Sequence, residues 1–157
     1  MKIVLQRVTQ ARVVVEAEVV GQINRGYVLL VGFETGDTDD VLEPTIQRLM
    51  KMRLFSDDRG RFNFNLEDVS GELLVVSQFT LSASFKKGKK PSFTKAMNPK
   101  DAERMYELFI EMCRSQGLTV QTGTFGAMMD VQLHNDGPVT IMMDTRDLFP
   151  KFYDQET

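Results

Sequence analysis

The chain has 157 residues, 42% of them hydrophobic and 26% charged, with a formal net charge of -3 and a pI near 5.2. That length suits one domain able to bury its own core, and the abundance of Phe, Val, Leu and Met excludes disorder. A single cysteine, Cys113, and a single histidine, His134, exclude an intrachain disulfide, a multi-cysteine metal cluster and a His-rich metal centre, and the acidic balance argues against gripping long nucleic acid, DNA included, through phosphates alone.

Residues 1–10 have no apolar core of the secretory type, and no apolar run approaches the roughly 20 residues of a membrane helix. The expectation is a cytoplasmic protein with no membrane partner. Residues 2–8 alternate, with Ile3, Leu5 and Arg7 on one face, and read as a strand. The Val-rich residues 12–20 read as a second strand, and residues 27–33, apolar on both faces, as a central one. Glycines 21, 26, 32 and 36 mark turns or bulges around these runs. Residues 41–50 repeat apolar positions at helical spacing behind Thr38-Asp39-Asp40, with Pro44 confined to the first turn. A hairpin around Asp57-Asp58-Arg59-Gly60 joins residues 52–55 to 61–64, and residues 73–81 form a further strand.

The second helix is signalled by Asn98 as N-cap, Pro99 at the first position, acidic Asp101 and Glu103, and Gly117 past the end. Its apolar stripe contains Ala102, Met105, Phe109, Met112 and Cys113, which makes Cys113 a packed thiol. Residues 118–122, 127–134 and 139–145 then read as strands, His134 being solvated on its strand. The expected fold class is α+β: a single domain of mainly antiparallel β-sheets packed with two helices. Residues 1–145 make the domain and residues 146–157 an extended or mobile C-terminal tail.

Four segments could carry chemistry. Arg7 is a charge on an apolar face. Ser77-Gln78-Phe79-Thr80 places polar side chains at the end of a buried strand. Thr122-Gly123-Thr124-Phe125-Gly126-Ala127 and Asn135-Asp136-Gly137-Pro138 are glycine-bearing turns at the two ends of one strand. Period 2 aims Phe125, Ala127 and Met129 in one direction, so that Phe125 and Met129 could line one side of a pocket. Read on their own, Ser77 and Thr80 could equally be satisfied by backbone, and the Asn-Asp-Gly-Pro sequence is also a sound turn. Residues 85–95 hold Lys86, Lys87, Lys89, Lys90 and Lys95, a basic loop in an acidic chain, which is either a solvated charge run or a phosphate clamp. No Ser–His–Asp arrangement, HExxH, Walker loop or GxGxxG is present. An enzyme built from these residues would work without an evident side-chain acid–base pair, a cofactor or a metal.

Taken in order, "LQRV" at 5–8, "SQFTL" at 77–81, "KGKKPSF" at 87–93, "TGTFGAMM" at 122–129 and "NDGPVT" at 135–140 resemble the D-aminoacyl-tRNA (D-tyrosyl-tRNA) deacylases. The resemblance implies a homodimer of a compact β/β/α-layered fold. It implies hydrolysis of the ester joining a D-amino acid to the terminal adenosine of tRNA, and clearance of glycine from mischarged tRNA-Ala. Ser77, Gln78, Phe79 and Thr80 would then be catalytic, with the Phe79 and Thr80 amides holding the carbonyl oxygen. Gly137 and Pro138, joined by a cis peptide and braced by Arg7, would enter the partner's pocket and bar L-amino acids. Phe125, Met129 and Ala102 would line that pocket, and Lys86, Lys87, Lys89 and Lys90 would contact tRNA. Ser82-Ala83-Ser84-Phe85 departs from the family's usual Tyr followed by Gly/Ala-Asp. The alternatives are a non-catalytic binder of RNA 3′ ends, and a sibling deacylase that edits a mischarged L-amino acid.

Overall fold

A computed structural model of the chain describes residues 1–86 and 88–153. Among these residues eight strands and three helices follow in order: β1 (Lys2–Val15), β2 (Glu18–Ile23), β3 (Gly26–Gly32), α1 (Leu42–Lys51), β4 (Phe55–Ser56), β5 (Phe62–Phe64), β6 (Glu72–Ser77), α2 (Pro99–Ser115), β7 (Val120–Thr122), β8 (Asp130–Asp144) and α3 (Thr145–Leu148). Short 3-10 turns at Asp39–Val41, Phe79–Ser82 and Pro150–Phe152 complete the elements.

One sheet organises the molecule. β1 lies between β8 on one side and β2 and β3 on the other, all antiparallel to it. β6 then adds parallel to β3, and β7 parallel to β6. The pairing is mainly antiparallel, as expected, and the two parallel pairings, β3 with β6 and β6 with β7, are made possible by α1 and the β4–β5 hairpin, and later α2, which supply the crossovers that parallel neighbours need.

Two apolar clusters sandwich this sheet. Ile3, Leu5, Tyr27, Leu29, Val31, Leu73 and Val75 face α1 and α2, where they meet Ile46, Leu49, Met105 and Phe109. On the other face Val28, Leu74 and Val76 are covered by Val8, Ala11, Val13 and Ile23 and flanked by Val131 and Leu133, because the long strands β1 and β8 bend across their own sheet. The result is the expected β/β/α layering. Each fully buried Leu, Ile or Phe contributes about 1.5–3 kcal/mol.

Several local expectations are corrected. The run 12–20 is not one strand: Glu16 and Ala17, at φ 48° and 67°, turn the chain between β1 and β2. β6 ends at Ser77, and Phe79-Thr80-Leu81 curl into a 3-10 turn instead of extending it. Residues 127–134 and 139–145 are not two strands parted by a turn; β8 is one element with an excursion in its middle. The described part of the tail, to Tyr153, is not extended either, since Asp144 caps α3 by accepting from the Arg146 amide; residues 154–157 lie outside the described residues. Tyr153 then folds back, donating to the Asp37 carboxylate at 2.8 Å and hydrogen-bonding Thr145. Phe152 and Tyr153 pack against the chain's own core.

The second helix and its caps stand as expected, with the Asp101 amide donating to the Asn98 side chain at 3.1 Å. Its buried face also includes Tyr106 and Ile110. Among the described residues, no helix is long and apolar enough to cross a bilayer.

Candidate active site

The site begins where β6 runs out. Ser77 pairs with Val31 of β3, the Gln78 amide donates to the Val31 carbonyl at 2.8 Å, and the chain then tightens into the turn Phe79–Ser82. Gly32 makes this possible: a β-carbon there would stand 2.7 Å from the Gln78 carbonyl oxygen and 3.3 Å from Leu81 Cβ. The Leu81 and Ala83 amides donate back to Gln78 and Thr80. The amides of Phe79 and Thr80 open the turn, where a 3-10 helix offers them no carbonyl of its own. Gln78 Nε2 donates to the Thr80 hydroxyl, so the two polar side chains are already paired with each other.

Phe79 is exposed and meets Phe93 edge to face, centroids 5.0 Å apart. Phe93 belongs to the basic loop, whose base is tied by paired Ser84–Ser92 backbone bonds. Lys86, Lys89, Lys90 and Lys95 are all exposed, so the loop sets positive charge beside the turn. Lys87 lies outside the described residues.

Behind the turn, Tyr106 of α2 donates to the Val75 carbonyl at 2.7 Å, and Phe125 packs on its ring with centroids 5.7 Å apart. Ala102, one helical turn before Tyr106, packs against the same core cluster. Phe125 and Met129 do not share a face as period 2 suggested. Residues 124–127 form a turn, with Gly126 at φ 74° and the Ala127 amide donating to Thr124. The strand alternation therefore starts only at Asp130, and Met129 packs with the second cluster, its sulfur against Gly123.

The second segment the sequence points to forms an excursion in β8. Gln6 pairs with Thr140 and Val8 with Asn135, so residues 136–139 leave the ladder opposite Arg7 alone. Asn135 closes the base: its Oδ1 accepts from the Val139 amide at 2.7 Å, and its Nδ2 donates to the Val139 carbonyl and the Thr140 hydroxyl. Gly137–Pro138 is cis, and both residues are exposed.

Arg7 is buried beneath this loop. Its Nε donates to the Asp136 carbonyl at 2.9 Å, and its Nη1 donates to the Leu54 carbonyl at 2.6 Å and the Ser56 hydroxyl at 3.3 Å. The Asp136 carboxylate adds an ion pair at 3.4 Å. Gly137 sits at φ 139°, and a β-carbon there would meet Val139 Cγ2 at 2.8 Å and Arg7 Nη2 at 3.2 Å. The sequence points to Arg7, Gly137 and Pro138 and marks Gly32 only as a turn or bulge; Leu54 and Ser56 carry no such signal.

One chain does not bring these two segments together. Ser77 is level with Ile3, whereas the Gly137–Pro138 loop is level with Arg7, and three strand spacings intervene. Along and across the sheet this amounts to about 20 Å. Cys113 plays no part: burial in the core pushes its thiol up to about 12. His134 is exposed on β8 and hydrogen-bonds Gln10. Among the described residues no group of three or more His, Cys, Asp and Glu is placed to hold a metal.

A family model described as D-Tyr-tRNA(Tyr) deacylase matches residues 4–144. A D-aminoacyl-tRNA deacylase of Dehalococcoides mccartyi strain 195 is 49% identical over 147 residues, covering 94% of this chain and 96% of that protein. One of Aquifex aeolicus is 47% identical, covering 94% and 100%. A solved structure titled c-Myc DNA Unwinding Element Binding Protein superposes with a TM-score of 0.85 at 40% identity, over 92% of this chain and 98% of that one. A second, titled as a probable eukaryotic D-amino acid tRNA deacylase, gives 0.81 at 19% identity over 91% and 98%, and shares the fold.

Proposed function

Because the chain belongs to the D-Tyr-tRNA(Tyr) deacylase family, we propose that it hydrolyses D-aminoacyl-tRNA, releasing the D-amino acid and free tRNA, and that it selects substrates with the Gly137–Pro138 turn of a partner protomer. The observation that carries the selection is a loop that is exposed at its tip yet locked at its base by Arg7 and Asn135. Rigid main-chain atoms presented outward suit a filter. In a homodimer, such a tip reaching the partner's Ser77–Thr80 cleft meets the substrate's α-carbon. A hydrogen fits there, and an L side chain collides. A thousandfold preference needs about 4 kcal/mol, which one unavoidable clash supplies. Glycine has no side chain to exclude and passes, so glycyl-tRNA-Ala is a substrate too.

An aminoacyl ester is already labile, so positioning and charge stabilisation suffice. Water adds to the ester carbonyl, whose oxygen becomes an oxyanion held by the Phe79 and Thr80 amides. The acyl–oxygen bond then breaks, and the ribose oxygen leaves with a proton. Gln78 orients the ribose or carbonyl, and the substrate's 2′-hydroxyl assists. Ala102 and Phe125 back the cleft that holds the ester, whereas Met129, packed in the other cluster, is left out of that wall. The exposed lysines at 86, 89 and 90 steer the tRNA end in, and they position it without reading sequence. A cytoplasmic location goes with this substrate.

Deacylation of D-Tyr-tRNA, L-Tyr-tRNA and Gly-tRNA tests the reading. Rapid release from the first and third with L-Tyr-tRNA spared is the expected result. Protection of all three esters would instead mark a binder of RNA 3′ ends, and release of an L-amino acid alone would mark the sibling activity.

A further inference from the structure

The β4–β5 hairpin presents a large aromatic side chain that the site above does not use. Phe62 is 57% exposed, yet its ring lies over the Arg7 guanidinium, with Cζ 5.7 Å from the ring centroid. The same hairpin grips Arg7 at two further points, the Leu54 carbonyl and the Ser56 hydroxyl. Nor is the hairpin a loose arm. Phe55 is fully buried and stacks on Tyr27, with centroids 5.0 Å apart and planes 15° apart, and Tyr27 is the β3 residue paired with Arg7. On its other side Arg7 donates to Asp136 and abuts Gly137. The guanidinium is thus a rigid link with the hairpin at one end and the cis Gly–Pro turn at the other.

We propose that Phe62 is a specificity-positioning residue: by covering the Arg7 guanidinium it holds the Gly137–Pro138 turn where it excludes L-amino acids. The proposal rests on the chiral-selection reading above. A guanidinium donates in its own plane to the carbonyls it must hold and leaves its two faces poorly hydrated and open to stacking. A ring over one face attracts the cation and fixes the plane in which those donors point, more strongly where the cation is desolvated. A filter that works by collision fails if it yields by about an ångström. Phe62 acts through Arg7 and not on the ester, so its loss relaxes discrimination more than it slows the permitted reaction.

The test compares wild type, Phe62→Ala, Phe62→Leu, Phe62→Tyr and Ser56→Ala in full-length protein, on D-tyrosyl-tRNA and L-tyrosyl-tRNA. Phe62→Ala is expected to raise the ratio of L to D release about fivefold or more, with Phe62→Tyr restoring the wild-type ratio. Ser56→Ala should shift the ratio in the same direction by less. An unchanged ratio in Phe62→Ala overturns the proposal, as does an equal fall of both rates, which is what a residue needed only for folding would give. Should Phe62→Ala not fold, Phe62→Leu decides, since it keeps bulk without a π face; an unaltered ratio there overturns the proposal too. A wild type that spares L-tyrosyl-tRNA while Phe62→Ala spares it equally rejects this inference alone. A wild type that releases neither amino acid rejects the deacylase reading and this inference with it.

Discussion

Arg7 and Gly137 are packed so closely that a β-carbon on the glycine would stand 3.2 Å from the arginine's Nη2. The same β-carbon would be 2.8 Å from Val139 Cγ2, at a φ of 139° that side chains rarely adopt. Gly137→Ala therefore has to move the turn or the arginine, at a cost of about 1–3 kcal/mol. The expected outcome is lower stability in urea denaturation together with weaker preference for D-tyrosyl-tRNA. Wild-type values of both would show that the turn has slack.

Gly32 stands in an equally close contact at the Phe79–Ser82 turn. Its missing β-carbon leaves room for the Gln78 carbonyl, 2.7 Å from where that carbon would be. Gly32→Ala should push the Phe79–Ser82 turn off β3 and lower kcat on D-tyrosyl-tRNA about tenfold or more, with a smaller change in KM. Steady-state kinetics check this, and an unaltered kcat counts against a role for the Phe79 and Thr80 amides.

The Thr80 hydroxyl accepts from Gln78, and among the described residues no carboxylate or imidazole hydrogen-bonds it. A tRNA ending in 2′-deoxyadenosine should be turned over far more slowly than the natural end, and Thr80→Ala should retain part of the activity. Full turnover of the deoxy substrate, with complete loss in a folded Thr80→Ala protein, would assign the attack to the threonine.

The exposed Lys89 and Lys90 sit on the loop that carries Phe93. Lys89→Glu combined with Lys90→Glu should weaken tRNA binding and flatten the dependence of log K on log salt by about 0.7–0.9 for each phosphate no longer neutralised. Binding isotherms at several salt concentrations check it; an unchanged slope would make the loop a solvated surface.

Burial raises the Cys113 thiol from its ordinary 9.0 to about 12 and the Tyr106 hydroxyl from 10.0 to about 12. Both groups are neutral when folded, so the folded state holds protons that the unfolded chain gives up at lower pH. Stability from these groups is complete below about pH 9 and is lost as pH rises from about 9 to about 12. Denaturation midpoints measured from pH 7 to 11 should stay level and then fall. In the same samples a thiol reagent at pH 8 should label Cys113 only after unfolding.

Layering and the start of α2 are legible because they rest on local chemistry; the start of α1 is not, since that helix begins at Leu42 behind a 3-10 turn and Thr38 makes no capping hydrogen bond. Asn98-Pro99 specifies a helix start by itself, and residues 27–33, apolar on both faces, can only be a central strand. The sheet's mixed character was not legible, since parallel pairing of β3, β6 and β7 depends on where distant crossovers lead. Strand ends failed for a related reason. The run 73–81 looks continuous, but Gly32 lets the chain fold at Gln78, and that glycine sits 46 residues earlier. Phe125 and Met129 were assigned one face by alternation, which Gly126 interrupts at φ 74°. Arg7, Gly137 and Pro138 stood out as a charge on an apolar face and a glycine-proline turn. Leu54 and Ser56 carried no signal, because a backbone carbonyl and a hydroxyl become partners of Arg7 only through packing.

The gap of about 20 Å between the Ser77 turn and the Gly137 loop within one polypeptide is longer than any side chain can bridge. Under the proposed function, fidelity is thus owned by pairs of molecules, and it decays with dilution even when every copy is intact. Two defective forms, one unable to cleave and one unable to select, would pool their sound parts on mixing and recover one selective cleft in each hybrid pair.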